Sequence, residues 1–310
     1  MKEYRRIQKT GESTFIVSLP KKWASLNNVD RGTEVMIQEN EDGSLTLAVK
    51  YQKGESSCTI HQSSSIDRTI QKIIAAYLAG YEKIVLKGKD AAVICEDARS
   101  KLSGLEIIDE KADEGILSVL SKGDEFSIDD LLTRMHSISL TMFSLVTRSL
   151  QVPGGGKPPS ATPTEFGLEK EVSRRETEID RLFALALRTI NTQSTKLSLA
   201  VCKARVAKTL ERISDHAELL YQELSDNKQI LNAITQLRDV YSEVFENLMQ
   251  IENKEASILK LASYQKEIKN IIKKSGLSLR PALERCLRIS DYLLDLVDIT
   301  EDIAAIQNKK

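Results

Sequence analysis

Paired cysteines, aromatic residues and long apolar runs are all scarce in this 310-residue sequence. The four cysteines are scattered and form no Cys-x-x-Cys pair, which argues against a disulfide scaffold or a zinc knuckle and favours buried thiols in a reducing cytoplasm. Aromatic residues make up only 5% of the chain, with one tryptophan, and this favours helices over a β-sandwich. Because no apolar run reaches the ~18 residues of a membrane span, and the N-terminus lacks a signal-peptide core, we expect a cytoplasmic protein with no membrane insertion.

Net charge is also nearly absent, since 44 basic residues stand against 45 acidic ones. The total therefore indicates neither a nucleic acid nor a membrane as a partner. The first fifty residues, however, are unevenly charged: residues 1–31 carry seven basic and three acidic side chains, and residues 32–50 carry one basic and four acidic. Residues 1–31 are therefore a basic segment within a chain whose net charge is close to zero.

The first fifty residues alternate as strands do and contain turn residues at regular intervals. Tyr4–Gln8 and Thr14–Leu19 predict one hairpin, and Thr33–Glu39 and Ser44–Val49 predict a second, with an Asp-Gly turn between its strands. A short helix, Lys21–Leu26, lies between the hairpins. So small a unit buries little apolar area, and we therefore expect it to dimerise.

The same segment resembles a known family. Arg5-Arg6-Ile7-Gln8-Lys9, the run Ser13–Trp23 and then Asp30-Arg31-Gly32-Thr33-Glu34-Val35 are similar to the SpoVT/AbrB DNA-binding domain. The resemblance implies a swapped-hairpin homodimer whose DNA contacts come from the basic residues Arg5, Arg6, Lys9, Lys21 and Lys22. Two alternatives stay open: a solvated strand edge kept soluble by lysine, or a related dimerisation or antitoxin module, since the turn Thr10-Gly11-Glu12 places an acid near the proposed face.

A different pattern follows, which predicts a small α/β module over residues 53–125. It contains no glycine-rich loop and no nucleophile motif, so the sequence predicts no function for it. Four strands and two helices are expected there: Ser57–Gln62, Ile66–Ala79, Glu82–Leu86, Asp90–Leu102, Glu106–Asp109 and Ile116–Leu120.

The rest of the chain is helical in pattern, with a proline- and glycine-rich loop at residues 152–167. A short repeat, Arg212-Ile213-Ser214-Asp215 and Arg288-Ile289-Ser290-Asp291, indicates two sets of three helices. The fold class is therefore multidomain α+β: an AbrB-like β domain at 1–52, the α/β module at 53–125 and paired three-helix bundles at 126–310. The six expected helices are Ser127–Leu150, Leu168–Asn191, Gln193–Leu224, Gln229–Ile251, Lys254–Lys274 and Ser278–Gln307.

Carboxylates at i, i+4 are the chemically suggestive feature of the helical part. Glu176 and Asp180 share a face of one helix, and Glu211 and Asp215 share a face of the next. Neighbouring antiparallel helices can bring all four together as an oxygen site for Mg, Mn or Fe. The alternative is an ordinary solvated face whose acids pair with the nearby arginines Arg174, Arg175, Arg181 and Arg212.

The run Leu210-Glu211-Arg212-Ile213-Ser214-Asp215-His216-Ala217, preceded by Glu176–Leu182, resembles PhoU, the phosphate uptake regulator. The resemblance implies two three-helix bundles with a multinuclear iron or zinc cluster on Glu176, Asp180, Glu211 and Asp215. His216 follows Asp215 directly and is a further candidate to bind the metal or to support a ligand; the alternative is an ordinary hydrogen-bonded histidine. The second repeat departs from the pattern: Leu287 replaces the first glutamate, and Gln265 and Lys269 stand near the places of Glu176 and Asp180. One metal site is thus expected, with Asp291, Asp295, Asp298 and Asp302 forming an acidic stripe on the last helix.

Together the two resemblances imply a cytoplasmic transcriptional regulator of phosphate uptake and phosphate homeostasis, similar to the archaeal phosphate regulators in which an AbrB-like domain is fused to PhoU. It would bind DNA through the N-terminal dimer and a metal cluster (Fe, Zn, Mn or Mg) through the helical part, and it would not be an enzyme. The first alternative is an adaptor that binds no DNA and restrains a phosphate transporter or a sensor kinase. A carboxylate-bridged metalloenzyme is a weaker alternative, because the sequence offers no catalytic arrangement.

Overall fold

A computed structural model of the chain describes residues 3–39, 43–49, 56–120, 126–151, 163–193, 196–224, 228–252 and 255–308. The chain divides into two compact units, residues 1–55 and 56–309. The boundary expected near residue 125 lies inside the second unit, between two separate hydrophobic cores. No helix in the described ranges combines the length and the apolar character needed to cross a membrane.

The first unit contains the two predicted hairpins and the short helix. β1 (Gln8–Thr10) pairs antiparallel with β2 (Thr14–Ile16) through a turn in which Gly11 has a φ of 70°. α1 (Lys21–Leu26) begins directly after Pro20. The second hairpin pairs β3 (Val35–Glu39) with β4 (Leu45–Val49). The first ladder is shorter than predicted and starts at Gln8 instead of Tyr4, because a two-stranded ribbon offers the far ends of its strands no second partner.

The side chains of this unit are largely exposed to solvent, and none of those described in residues 3–49 is buried. In the second hairpin, Ile37 pairs with Leu47, so their side chains lie on one face, together with Leu45. Ile37 is 62% exposed and Leu45 61% exposed. The prediction that fifty residues cannot bury their own apolar surface agrees with this arrangement.

The second unit opens with a four-stranded sheet in the order β5-β6-β8-β7. β5 and β6 are parallel, and the two other pairings are antiparallel. The helices cover the face that carries the buried Ile84, Leu86 and Leu117. In chain order the elements are β5 (Ser57–His61), α2 (Ile66–Leu78), β6 (Lys83–Lys87), α3 (Ala91–Lys101), β7 (Leu105–Glu110) and β8 (Glu114–Val119).

Six long helices complete the described part of this unit, and each corresponds to a predicted one. They are α4 (Ile128–Ser149), α5 (Pro163–Thr192), α6 (Leu197–Gln222), α7 (Lys228–Gln250), α8 (Glu255–Lys274) and α9 (Arg280–Gln307). One boundary was wrong: α5 begins at Pro163, whereas the loop was expected to continue through Gly167. Proline is well suited to the first helical position, because its fixed φ is helical and the missing N–H has no helical partner there.

The six helices pack as two sets of three, α4–α6 and α7–α9. α6 packs closely against α9, and a single hydrophobic core runs through both sets. Gln265 Nε2 on α8 lies 3.1 Å from Asp291 Oδ1 on α9. The structure thus has the two-set arrangement that the internal repeat predicts, with its centre at the contact of α6 and α9.

A buried arginine of α5 forms hydrogen bonds with the α/β module. Arg188 is 6% exposed, and its guanidinium donates hydrogen bonds to the carbonyl oxygens of Tyr77, Gly80 and Tyr81, at the end of α2 and just beyond it. The guanidinium carbon also lies 4.8 Å from the centroid of the Tyr77 ring. Since the last carbonyls of a helix have no helical partner, the cation satisfies groups that burial would otherwise leave unpaired.

We expect the substitution Arg188→Ala to lower the free energy of unfolding by about 3 kcal/mol, because buried carbonyls lose a charged donor. Urea unfolding of the full chain measures this loss. Arg134→Ala is the matched control: Arg134 pairs with Glu178 on the surface of the bundle, where such a pair contributes less than about 1 kcal/mol. Equal losses in the two variants would contradict the anchoring role of Arg188.

His136 on α4 lies within the helical core, where its ring stacks 3.9 Å from that of Phe245. Burial lowers the pKa of His136 to about 4. Because the unfolded chain binds the proton more tightly, stability is full above pH ~6.5 and falls as the pH drops toward 4. We expect the native protein to lose about 2 kcal/mol more than His136→Phe between pH 7 and pH 5. Urea unfolding at both pH values tests this, and equal losses would contradict it.

Candidate functional site

Three carboxylates from consecutive helices meet at one place on the bundle. Glu176 and Asp180 lie one turn apart on α5, and Asp215 lies on α6. One oxygen from each of the three lies within 4.8 Å of the others. Among the described residues this is the one group of at least three potential ligands. Three oxygen donors at such distances suit a hard or borderline cation.

The electrostatics of this carboxylate cluster (Glu176, Asp180 and Asp215) disfavour three negative charges. The pKa of Glu176 is raised, first by burial and then by the adjacent Asp180 carboxylate. Burial also raises the pKa of Asp180, and it raises that of Asp215 to about 6, with the charge of Glu211 as the next cause. Without a cation the cluster therefore retains protons, and a bound cation would replace them.

Glu211, the fourth predicted ligand, lies outside this group of three. Both of its carboxylate oxygens accept hydrogen bonds from Lys208 Nζ, at 2.5 and 2.6 Å. Its role as a ligand stays a prediction, which requires the carboxylate to leave Lys208.

Sequence reasoning missed Glu218, whose charge contributes to the raised pKa values of all three cluster carboxylates. Its position three residues after Asp215 on α6 was a usable signal, because such residues share a helix face. Its Oε1 accepts a hydrogen bond of 2.6 Å from Ser173 Oγ.

Three of the four arginines that offered an ordinary explanation for these acids have other partners. Arg174 pairs with Glu171, and Arg175 pairs with Glu171 and Glu178. Arg212 lies over the ring of Tyr292 on α9. Lys208 is the cation whose charge lowers the pKa values of Asp180 and Asp215, and it is already shared with Glu211. Arg174, Arg175 and Arg212 therefore do not pair with the carboxylate cluster.

The second repeat has lost the cluster. Gln265 Nε2 donates hydrogen bonds of 3.1 Å to Ser290 Oγ and to Asp291 Oδ1, so an amide occupies the place that Glu176 has beside Asp215. Asp302, at the far end of the acidic stripe, pairs with Arg205. Asp295 and Asp298 are exposed. The second repeat thus has an amide where the first has a carboxylate, and the expectation that it binds no metal stays a prediction.

His216, a candidate ligand because it follows Asp215 in the sequence, turns toward α9. Its Nε2 lies 3.3 Å from the Tyr292 hydroxyl, and its ring meets the Tyr292 ring edge to face. It is therefore placed at the contact between the two helix sets, away from the group of three carboxylates.

The predicted DNA-contacting residues lie in the first unit, and all five are exposed: Arg5, Arg6, Lys9, Lys21 and Lys22. Lys9 pairs across the hairpin with Phe15, and its ammonium lies 6.0 Å from that ring. Arg5 forms a 2.6 Å ion pair with Glu3. Lys21 and Lys22 are the first two residues of α1. Hairpin and helix thus both present cations to solvent, as contact with phosphates requires.

Comparison with known proteins gave one family. Residues 8–56 match the model described as "Antidote-toxin recognition MazE, bacterial antitoxin". The match covers the two hairpins and supports the AbrB-like part of the resemblance, whereas no family model matched the helical part. Neither the curated proteins nor the solved structures compared with the chain gave a match.

Proposed function

We propose that this protein is a phosphate-responsive transcriptional regulator that binds DNA through a dimer of its first unit and a metal ion through its helical part. The observation that supports DNA binding most directly is the match of residues 8–56 to an antitoxin family. Lys9, Lys21 and Lys22 lie within the matched residues, Arg5 and Arg6 lie just before them, and all five are exposed. The phosphate signal rests on the PhoU resemblance of the helical part alone.

Dimerisation follows from the exposed apolar face of the second hairpin. Ile37, Leu45 and Leu47 offer a contiguous apolar surface that a second copy of the same unit would cover. A two-fold dimer would also present two copies of the basic residues to a DNA duplex, whose phosphates bind cations regardless of sequence.

We expect Ile37→Lys to shift the protein from dimer to monomer in sedimentation velocity, because a charge would be buried in the interface. Thr46→Lys is the control, since Thr46 pairs with Gln38 and projects from the opposite face of the hairpin. A dimer unaffected by Ile37→Lys would place the interface elsewhere.

Glu176, Asp180 and Asp215 are the residues that would hold the metal, and Glu211 is a fourth candidate. The carboxylate donors suit Fe, Mn, Mg or Zn. The ion would neutralise the mutual repulsion of the cluster and fix α5 against α6. Through that contact the helical part would influence the DNA-binding dimer. We infer no catalytic role for the cluster.

Recovery of DNA bound to the native protein, from cells grown in phosphate-rich and phosphate-poor medium, tests this function. We expect the same sites to be enriched in both cultures but to different extents. Absence of any enriched site in both cultures would favour the adaptor, which acts on a transporter or a sensor kinase and has no need for DNA.

A further inference from the structure

The two copies of the Arg-Ile-Ser-Asp repeat meet each other across α6 and α9. His216 follows the first copy and Tyr292 follows the second, so the two occupy equivalent positions. Their side chains are in contact, with 3.3 Å between His216 Nε2 and the Tyr292 hydroxyl. The aspartates are directed to other partners: Asp215 joins the carboxylate cluster and Asp291 binds Gln265. Each copy also contributes one arginine, Arg212 on α6 and Arg288 on α9.

Both arginines converge on the same aromatic ring. The guanidinium carbon of Arg288 lies 5.1 Å from the centroid of Tyr292, and that of Arg212 lies 5.9 Å from it. Arg288 Nε also donates a 3.2 Å hydrogen bond to the Tyr292 hydroxyl. Tyr292 is only 7% exposed, whereas Arg212 and Arg288 are exposed. The buried ring thus holds two cations where solvent can reach them.

Neither guanidinium forms an ion pair with a carboxylate of the described residues. The neighbouring arginine, Arg285, is by contrast fully engaged, since it binds Glu223 with three contacts of 2.9 to 3.1 Å. Two like charges near one ring repel each other, and this repulsion is relieved by an anion between them. His216 Nδ1 is in addition buried without a hydrogen-bond partner among the described residues.

We propose that Arg212, Arg288 and His216 form an anion site on the Tyr292 ring, at the contact of the two helix sets, and that it takes a phosphate group. Guanidinium groups donate parallel N–H bonds that match phosphate oxygens, and two of them neutralise a dianion. Inorganic phosphate and a phosphomonoester share this chemistry.

The choice of phosphate as the ligand rests on the proposed function. The convergence of the two arginines on one ring is independent of that function. An anion here would join α6 to α9, and α6 also carries Asp215 of the carboxylate cluster. The site would thus lie next to the helix that the metal is expected to fix.

Isothermal titration of the full chain with inorganic phosphate, and separately with glycerol 3-phosphate, tests the site. The protein is first stripped of metal with a chelator, so that no cation in the carboxylate cluster can retain phosphate. We expect Arg212→Gln and Arg288→Gln each to weaken binding by about tenfold or more, since each removes a charge-assisted contact. Arg280→Gln is the matched control: it removes an arginine of α9 that is paired with Glu284, and binding should change less than about twofold.

Binding of either phosphate compound, with this dependence on Arg212 and Arg288, supports the site, and the tighter one identifies the source of the phosphate group. Absence of binding at millimolar concentrations, or binding that both variants retain, would overturn it. Equal binding of chloride at the same ionic strength would overturn the assignment to phosphate. Measuring DNA affinity with and without phosphate separates the two proposals: a site that binds phosphate without changing DNA affinity removes the regulatory link and leaves the site intact.

Discussion

Replacing Arg5, Arg6, Lys21 and Lys22 together by alanine should lower the affinity of the full chain for its DNA by about a hundredfold or more at low salt. Each cation that neutralises a DNA phosphate releases about one counterion, and a dimer would lose the contacts of both copies. The variant should fold normally, because all four side chains are exposed and α1 has no buried residue. Fluorescence anisotropy over a series of salt concentrations measures both the affinity and its salt dependence.

The matched control removes the same number of charges from the helical part. Lys266, Lys269, Lys273 and Lys274 are exposed on α8, and their replacement by alanine changes the net charge equally. We expect this control to retain most of the affinity, since only a local arrangement of cations follows the DNA backbone. Equal losses of DNA affinity in the two variants would show that binding depends on the net charge alone. Tight binding with no salt dependence would exclude the phosphate contacts altogether.

Much of the fold could be predicted because local signals were strong and agreed with each other. All six long helices carry apolar residues at helical spacing, and the structure contains each of them. The second hairpin was marked by its Asp-Gly turn between alternating strands, and β3 pairs with β4 there. The start of α5 was misjudged because proline and glycine are read as breakers, although proline is favourable at a first helical position.

The carboxylate cluster could be predicted in part, since the i, i+4 spacing determines which side chains share a helix face. The spacing does not predict which side chains meet across neighbouring helices. Whether Glu211 turns to the cluster or to Lys208 depends on side-chain rotamers and on the approach of α5 to α6, neither of which spacing encodes. The position of Glu218 follows the same spacing rule and was overlooked.

The contact of His216 with Tyr292 could be recognised only after the repeat was placed in three dimensions. The sequence showed two copies of Arg-Ile-Ser-Asp, but it did not show that equivalent positions of α6 and α9 touch. Arg188 is similar: it is one of four arginines in α5, and nothing in the sequence distinguishes it as the one that caps α2, more than a hundred residues earlier in the chain. Long-range packing decides both cases.

Single substitutions in the carboxylate cluster should cause the second large effect, a loss of bound metal. Glu176→Gln or Asp215→Asn should lower the metal content of the purified full chain by about tenfold or more, because each removes one of three charged ligands and leaves an amide in its place. Inductively coupled plasma mass spectrometry of dialysed protein measures the content and identifies the ion. Asp291→Asn is the matched control, since Asp291 is the equivalent aspartate of the second repeat and already binds an amide.

The pH dependence gives an independent check on the same site. Because burial and neighbouring charges raise the pKa of Asp215 to about 6, protons compete with the metal as the pH falls through that value, and affinity should decrease. The stability of the metal-free protein changes with pH in the opposite direction to metal affinity. A raised carboxyl pKa stabilises the folded state at low pH, and this contribution is lost as the pH rises through 6. Added metal should therefore raise the melting temperature more at pH 8 than at pH 5, and this difference should become smaller in Asp215→Asn, in which Glu176 and Asp180 still bind protons. Glu211→Ala then decides the fourth ligand: a fall in metal content means that Glu211 leaves Lys208 to bind the ion, and an unchanged content restricts the site to the other three carboxylates.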